Sequence, residues 1–556
     1  MTTSVNVKGP CDEAVVHNAP LPKGETTPKT AGKGTGLWVL VATILGSSMA
    51  FIDGTVVNVA LPRIQTDLGA TSTDAQWVVE AYSLFLAALI LVGGSLGDRL
   101  GRKKIYVVGI SLFTLASVAC GLAPTPLTLI VARAVQGVGG ALLVPGSLAI
   151  IAATFGAAER GRAIGTWSGF TTITSALGPV LGGWLVQNIS WRVVFFINVP
   201  LAAATLFLVF LHVPESRDDR DAQKLDFLGA ALVTVGLGLT VFGLIQWGAV
   251  GLGNAVVLAS LIGGLVILGV FILVESRSSA PMMPLSLFRS RTFSGANLLT
   301  LFLYGALGGA LYFLPFNLQQ VQGYSATEAG AALLPFTIIL FALSRWAGGL
   351  VDKVGARLPL TVGPLITAAG FVLFAFSGVG GSYWTSYFPA VVVMSLGMSL
   401  VVAPLTTTVM GAVDQQRSGV ASGINNAVSR SSGLLAIAVL GIAVSATFGN
   451  TLDTRLTGRH LPVALVRAVD AQSGKLAGIV VPRSAPAQAA AVRQDVRESF
   501  VDGFRVAMLV AAALSVLSAA AAVVLIDGKR STDAAVAANK PSSTRLDAGA
   551  SKVKPA

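Results

Sequence analysis

The chain has 556 residues, of which 53% are hydrophobic and only 12% charged, with a formal net charge of +12. That charged share is about half of the roughly 25% usual in soluble domains, which excludes a water-soluble enzyme or binding module of this length. The positive balance would suit nucleic acid, but the basic residues stand mostly between apolar blocks, where a membrane protein keeps them, so no nucleic-acid partner is expected.

Residues 1–36 are polar and rich in Pro, Lys and Thr, and read as a disordered tail with no cleavable leader. From Leu37 onward the apolar residues come in blocks of about twenty, the helix length that crosses a hydrocarbon core of roughly 30 Å. Backbone groups in lipid must find partners within such a segment, so each block predicts a spanning helix. The first eight predicted spans are 37–60, 76–97, 105–122, 127–155, 163–186, 193–213, 227–247 and 255–274. Six more follow at 293–318, 326–350, 358–377, 384–409, 419–448 and 504–526, before a second tail at 528–556 that also reads as disordered. The fold class is all-α integral membrane, with about fourteen transmembrane helices. Cys11 lies in the first tail and Cys120 inside a span, so no disulfide is expected.

Loop charges predict the orientation. With the amino terminus cytoplasmic, the short inner loops hold fifteen Lys or Arg residues, from Arg99 to Arg417, and the short outer loops hold only Arg63 and Arg192. The positive-inside rule then places both termini in the cytoplasm. Residues 449–503 read as a long extracytoplasmic loop, in which the Ala-rich stretch 485–496 could form a short amphipathic helix.

Three ionisable residues stand inside early spans. Asp53, Glu80 and Arg133 lie about 10, 6 and 9 Å from the outer ends of the first, second and fourth spans, at 1.5 Å per residue, and at such similar depths the three could meet if their helices face one another. Charge at that depth is costly and therefore suggests function. Asp53 is the first candidate for binding a proton or cation, Arg133 for tuning that site or joining helices, and Glu80 for coupling or simply for reaching the interface. Two cavity-facing carboxylates against one arginine would favour cationic, lipophilic guests. Arg430, with Asn425 and Asn426 nearby, lies too deep in the thirteenth span to reach water easily, and is a candidate for the central cavity.

An internal repeat sets the architecture. Gly94 to Gly101 reads GSLGDRLG and Gly348 to Gly355 reads GGLVDKVG, each at the inner end of a span. The glycines permit tight turns, while Asp98, Arg99 and Arg102 in one copy, and Asp352 and Lys353 in the other, can form a polar latch that breaks as the molecule rocks. Eight spans separate the copies where two six-helix halves would require six. Two helices, the seventh and eighth at 214–275, are therefore read as inserted between halves at 37–213 and 276–527.

Five motifs in order carry a family resemblance. They are FIDGTVVNVALP at 51–62, the loop from Gly94 to Lys104, RAVQGVGG at 133–140, GPVLGG at 178–183 and WRVVFFINVP at 191–200. With these the chain resembles the major facilitator superfamily, specifically its fourteen-span drug:proton antiporters, from about residue 37 to 527. The element with Gly178, Pro179, Gly182 and Gly183 resembles the antiporter motif of the fifth span, although Thr174 occupies the place of its first glycine. The resemblance implies a rocking exporter of lipophilic compounds in a bacterial plasma membrane, working as a monomer, with the proton as coupling ion and no other cofactor.

No catalytic constellation competes with this reading. His17, His212 and His460 fall in a tail, a span end and an outer loop, and no phosphate-binding loop is present. The same scaffold would also serve a dedicated exporter of one endogenous metabolite or lipid. A membrane sensor or assembly scaffold would need neither paired gating loops nor intramembrane carboxylates.

Overall fold

The computed structural model describes residues 33–217, 226–279, 281–414, 417–459, 461–481 and 486–528. Most of both tails, with Cys11 and His17, and also His460, lie outside the described residues. Within them the chain is helical, without a strand, and fourteen helices are long and apolar enough to cross a membrane.

In chain order the spans are Gly36–Leu68, Ser72–Leu100, Arg102–Leu122, Pro126–Thr154, Arg162–Asn188, Val193–His212, Phe227–Val250 and Ala255–Arg277. The remaining six are Arg291–Val321, Ala326–Ser344, Arg357–Ala375, Phe388–Gly411, Gly419–Thr457 and Gln488–Leu525. Every block predicted from hydropathy coincides with one of them. Their starts are capped where the chain leaves water. Thr71 and Asp74 form a reciprocal capping box before the second span, as Ser325 and Glu328 do before the tenth. Such boxes satisfy amide donors that the first turn leaves without helical partners.

Packing repeats between the halves. In the first half the second span packs on the fourth, the third on the fourth and sixth, and the first on the fifth and sixth. In the second half the tenth packs on the twelfth, the eleventh on the twelfth and fourteenth, and the ninth on the thirteenth and fourteenth. These are the same five pairings shifted by eight spans, so the repeat seen in the two loops extends to whole six-helix units. The seventh span lies against the second and thirteenth, one from each half, and the eighth packs on the seventh. Its apolar Val256, Ile262, Leu265 and Val266 are exposed, as a lipid-facing helix requires.

With the ends named by the orientation expected from loop charge, the halves are joined at the outer end. Gln319 Nε2 donates to Val59 O at 2.9 Å, and Gln320 Nε2 to Gln65 Oε1 at 2.8 Å. The fifth and tenth spans meet mainly through the first turns of the tenth. On the inner side a cavity of about 100 Å³ is lined by Tyr304, Leu405, Asn425, Asn426 and Ser429, among others. This is a state closed to the outside.

Residues 449–503 are not the loop that the sequence suggested. The thirteenth helix runs on to Thr457, and the last begins at Pro486. The Ala-rich stretch is therefore the opening of a spanning helix rather than a separate one. Hydropathy missed this because the extensions carry charges, but those charges pair between the two helices. Arg455 bonds Asp502 and Ser499 at 2.8 Å each, and Arg459 bonds Asp495 at 2.5 Å. Between them the helix Val463–Asp470 and the turn Ser473–Gly478 fold over the outer end, where Gln65 Nε2 donates to Lys475 O at 3.3 Å.

Candidate functional site

Asp53 and Arg133 meet in the core of the first half, with 0% and 1% of their surfaces exposed. Arg133 Nη1 donates to Asp53 Oδ2 in an ion pair, and also to Gln136 Oε1 at 2.7 Å. Its Nε donates to Val78 O at 3.0 Å, and its guanidinium lies 4.2 Å from the centre of the Tyr82 ring. The other oxygen of Asp53 accepts from Gln136 Nε2 at 2.9 Å and from Asn198 Nδ2 at 3.4 Å. Asn198 is itself held by Ser117, at 2.9 Å. Five spans thus converge on one carboxylate and one guanidinium, with both Asp53 oxygens accepting and both Nε and Nη1 of Arg133 donating. A buried ion pair needs such completion, because desolvation otherwise exceeds the Coulomb gain.

Gln136 and Asn198 were present in the sequence motifs but were not singled out as site residues. Gln136 lies three positions after Arg133, on the same helical face, a spacing that would have found it. Asn198 comes from a distant span and left no such signal.

Glu80 does not join this group. It is fully buried at the same level of the molecule, yet among the described residues neither of its carboxylate oxygens has a hydrogen-bond partner. The expectation that all three ionisable groups could meet therefore fails for Glu80. Depth along a helix fixes height but not direction, and Glu80 points away from the Arg133 face of its own helix. Nor do Asp53 and Glu80 line an open cavity in this state, since both are sealed from solvent.

The loops at 94–101 and 348–355 take the form expected of a repeat. Gly101 and Gly355 occupy equivalent places and both have positive φ, +111° and +79°. Asp98 pairs with Arg102 across one turn, at 2.7 Å, so its partner belongs to its own loop rather than to the other half. Arg99, Gly94, Gly348 and Lys353 sit at the same inner end, while the side chain of Asp352 lies outside those described. An unforeseen member is Glu215, just past the sixth span. Its carboxylate accepts from the backbone amides of Lys103 and Lys104 at 3.0 and 3.1 Å, at the start of the third span. A negative group there satisfies free amide donors and complements the helix dipole.

The fifth-span motif works by close approach. A side chain at Gly182 would meet Val56 Cγ2 at 2.1 Å, and one at Gly183 would meet the carbonyl oxygen of Ala326 at 2.3 Å. Gly182 thus seats the fifth span on the first, and Gly183 seats it on the tenth, in the other half. Next to Pro179 stands Gly178, which faces Thr55 of the first span. Thr174 still serves this contact, donating to Ser48 Oγ at 3.2 Å. In the second half, Asn425 Nδ2 donates to Thr300 Oγ1 at 2.7 Å, and Asn425 and Asn426 line the inner cavity. Arg430 lies near Tyr82 beyond that lining.

Comparison with known proteins agrees with this architecture. The family model of the Major Facilitator Superfamily matches residues 43–437. The multidrug resistance protein Stp of Mycobacterium tuberculosis is 36% identical over 86% of the chain and 90% of that protein. The tetracenomycin C resistance and export protein of Streptomyces glaucescens is 33% identical over 89% of the chain and 93% of that protein. Among solved structures, a bacterial homologue of the human lysosomal transporter Spinster, in an inward-facing and unoccupied conformation, superposes with a TM-score of 0.63. It is 19% identical and covers 89% of the chain and 98% of its own, a likeness of fold.

Proposed function

The chain belongs to the major facilitator superfamily, and on that premise we propose that it exports small lipophilic compounds, cationic ones among them, across the bacterial plasma membrane in exchange for inward-moving protons. Relatives named for antibiotic resistance and export support the efflux half of this reading. The excess of basic residues in the inner loops supports an orientation with both termini in the cytoplasm. The observation that carries proton coupling is the presence of two carboxyl groups wholly buried at membrane depth, Asp53 paired with Arg133 and Glu80 apart from them. Ionisable groups there are expensive and mark ion pathways. The working unit is one chain, and the proton is the only coupling species required.

Inside-out vesicles containing the protein test this directly. An imposed inside-acid gradient should drive uptake of ethidium or puromycin, and an ionophore that collapses the gradient should stop it. Uptake that ignores the gradient would refute proton exchange. Uptake confined to a single compound of a broad panel would instead favour a dedicated exporter.

A further inference from the structure

The second span presents two faces with different company. Val78 and Tyr82, four residues apart on one face, both contact Arg133 of the fourth span. Gln76, Glu80 and Leu84 form another row, and its outer neighbours face the second half. A side chain at Gly441 of the thirteenth span would meet Gln76 Nε2 at 2.1 Å, and Leu84 packs with Leu237 and Val241 of the seventh span and Leu434 of the thirteenth. Glu80, in the middle of that row, lies in the neighbourhood of Tyr312 of the ninth span. The Tyr312 hydroxyl is also buried and without a partner among the described residues. Beside that row the seventh and thirteenth spans offer the apolar Leu237, Val241 and Leu434, and Arg133 is on the far face. Among the described residues no hydrogen-bond donor thus meets the Glu80 carboxyl in this closed-outside state.

Resting on the exchange reading above, we propose that Glu80 is the residue that carries the coupling proton, and that Asp53 remains the ionised partner of Arg133. The two carboxylates have opposite surroundings. Asp53 receives donors from Arg133, Gln136 and Asn198, which suit an anion. Glu80 receives none, which suits the neutral acid. Pairs of carboxyls set apart in this way take different roles in proton chemistry. Parting of the halves at the outer end would separate the Glu80 row from the ninth and thirteenth spans and admit water. Glu80 can then take a proton from outside, and the seal can close only over the neutral side chain. On the inner side an arriving lipophilic cation favours the carboxylate, and the O–H proton passes to inner water. One proton enters for each exchange at this site.

The test is proton release from detergent-solubilised protein in weak buffer on addition of ethidium, puromycin or tetraphenylphosphonium. Wild type should acidify the medium, and Glu80→Gln should lose at least tenfold of that signal. Once Cys11 is replaced by serine, buried Cys120 in the same variant should stay as protected from a maleimide dye as in wild type, which a misfolded protein would not show. Glu80→Asp, which keeps a titratable group, should restore release with a displaced pH midpoint. Asp53→Asn should still release the proton. Release that persists in Glu80→Gln and vanishes in Asp53→Asn would overturn the assignment while leaving exchange intact. Wild type that releases no proton with any of the three probes, and shows no gradient-driven uptake, would instead sink the exchange reading.

Discussion

Neutralising Asp53 should damage the first half through Arg133 rather than through lost packing. In Asp53→Asn the side chain changes little in volume, and the amide can still accept from Gln136. Arg133, 1% exposed, then holds an unpaired charge with Gln136 Oε1, Val78 O and the Tyr82 face as its remaining company. Breaking a buried ion pair by removing one partner costs roughly 3–5 kcal/mol, and these residual contacts place the loss near the lower end, about 3 kcal/mol. If the six-helix half unfolds as one unit of ordinary domain size, that corresponds to a fall in melting temperature of about 6–12 °C. The double variant Asp53→Asn with Arg133→Gln leaves no charge behind and should recover part of the loss, a coupling of about 2 kcal/mol. Cys120 supplies the assay, because its thiol is 0% exposed in the fold and reports unfolding to a maleimide dye once Cys11 is replaced by serine. A double variant that melts below both single variants, or an Asp53→Asn protein that melts with wild type, would show that the two charges do not depend on each other.

Two further outcomes follow from the seams between elements. Gly183→Val would drive a methyl group into the Ala326 backbone carbonyl, which has no side chain to swing aside. Closure of the outer end should fail, with export down at least tenfold and a Gln320→Cys thiol labelled faster by a membrane-impermeant maleimide; unchanged labelling would remove Gly183 from the seal. Asp98→Asn removes a half-exposed pair with Arg102, worth less than about 1 kcal/mol of stability. Turnover should fall several-fold while ethidium affinity stays within about twofold, and a pure loss of affinity would move Asp98 from the loop's mechanics to the cavity.

What could be read from the amino acids follows from which physical constraints act locally. A span must satisfy its own backbone and match the bilayer thickness, so all fourteen were visible as apolar blocks. Charges inside those blocks were visible for the same reason, which singled out Asp53 and Arg133 before any contact was known. Gln136 and Asn198 were hidden because an amide in a span is less conspicuous than a charge. The helical extensions to Thr457 and from Pro486 were hidden because Arg455, Asp495, Arg459 and Asp502 lower hydropathy while stabilising one another across the pair.

Glu80 marks the sharper limit. Its depth, calculated from residue count, matches that of Asp53 and Arg133, and depth alone suggested one cluster. The azimuth of a helix, however, is set by what its neighbours bring to it. Here Arg133 claims the Val78 and Tyr82 face, and the second half claims the face of Gln76 and Leu84. Residues two apart on a helix diverge by about 200°, enough to send Glu80 to the seam while its neighbours clasp the arginine. The consequence is mechanical as well as electrostatic. The Asp53 pair lies within one rigid half and need not change as the halves rock, whereas Glu80 lies where they part, so its surroundings must change in every cycle. A coupling residue has to sense that motion, and of Asp53 and Glu80 it is Glu80, at the seam, that is placed to do so.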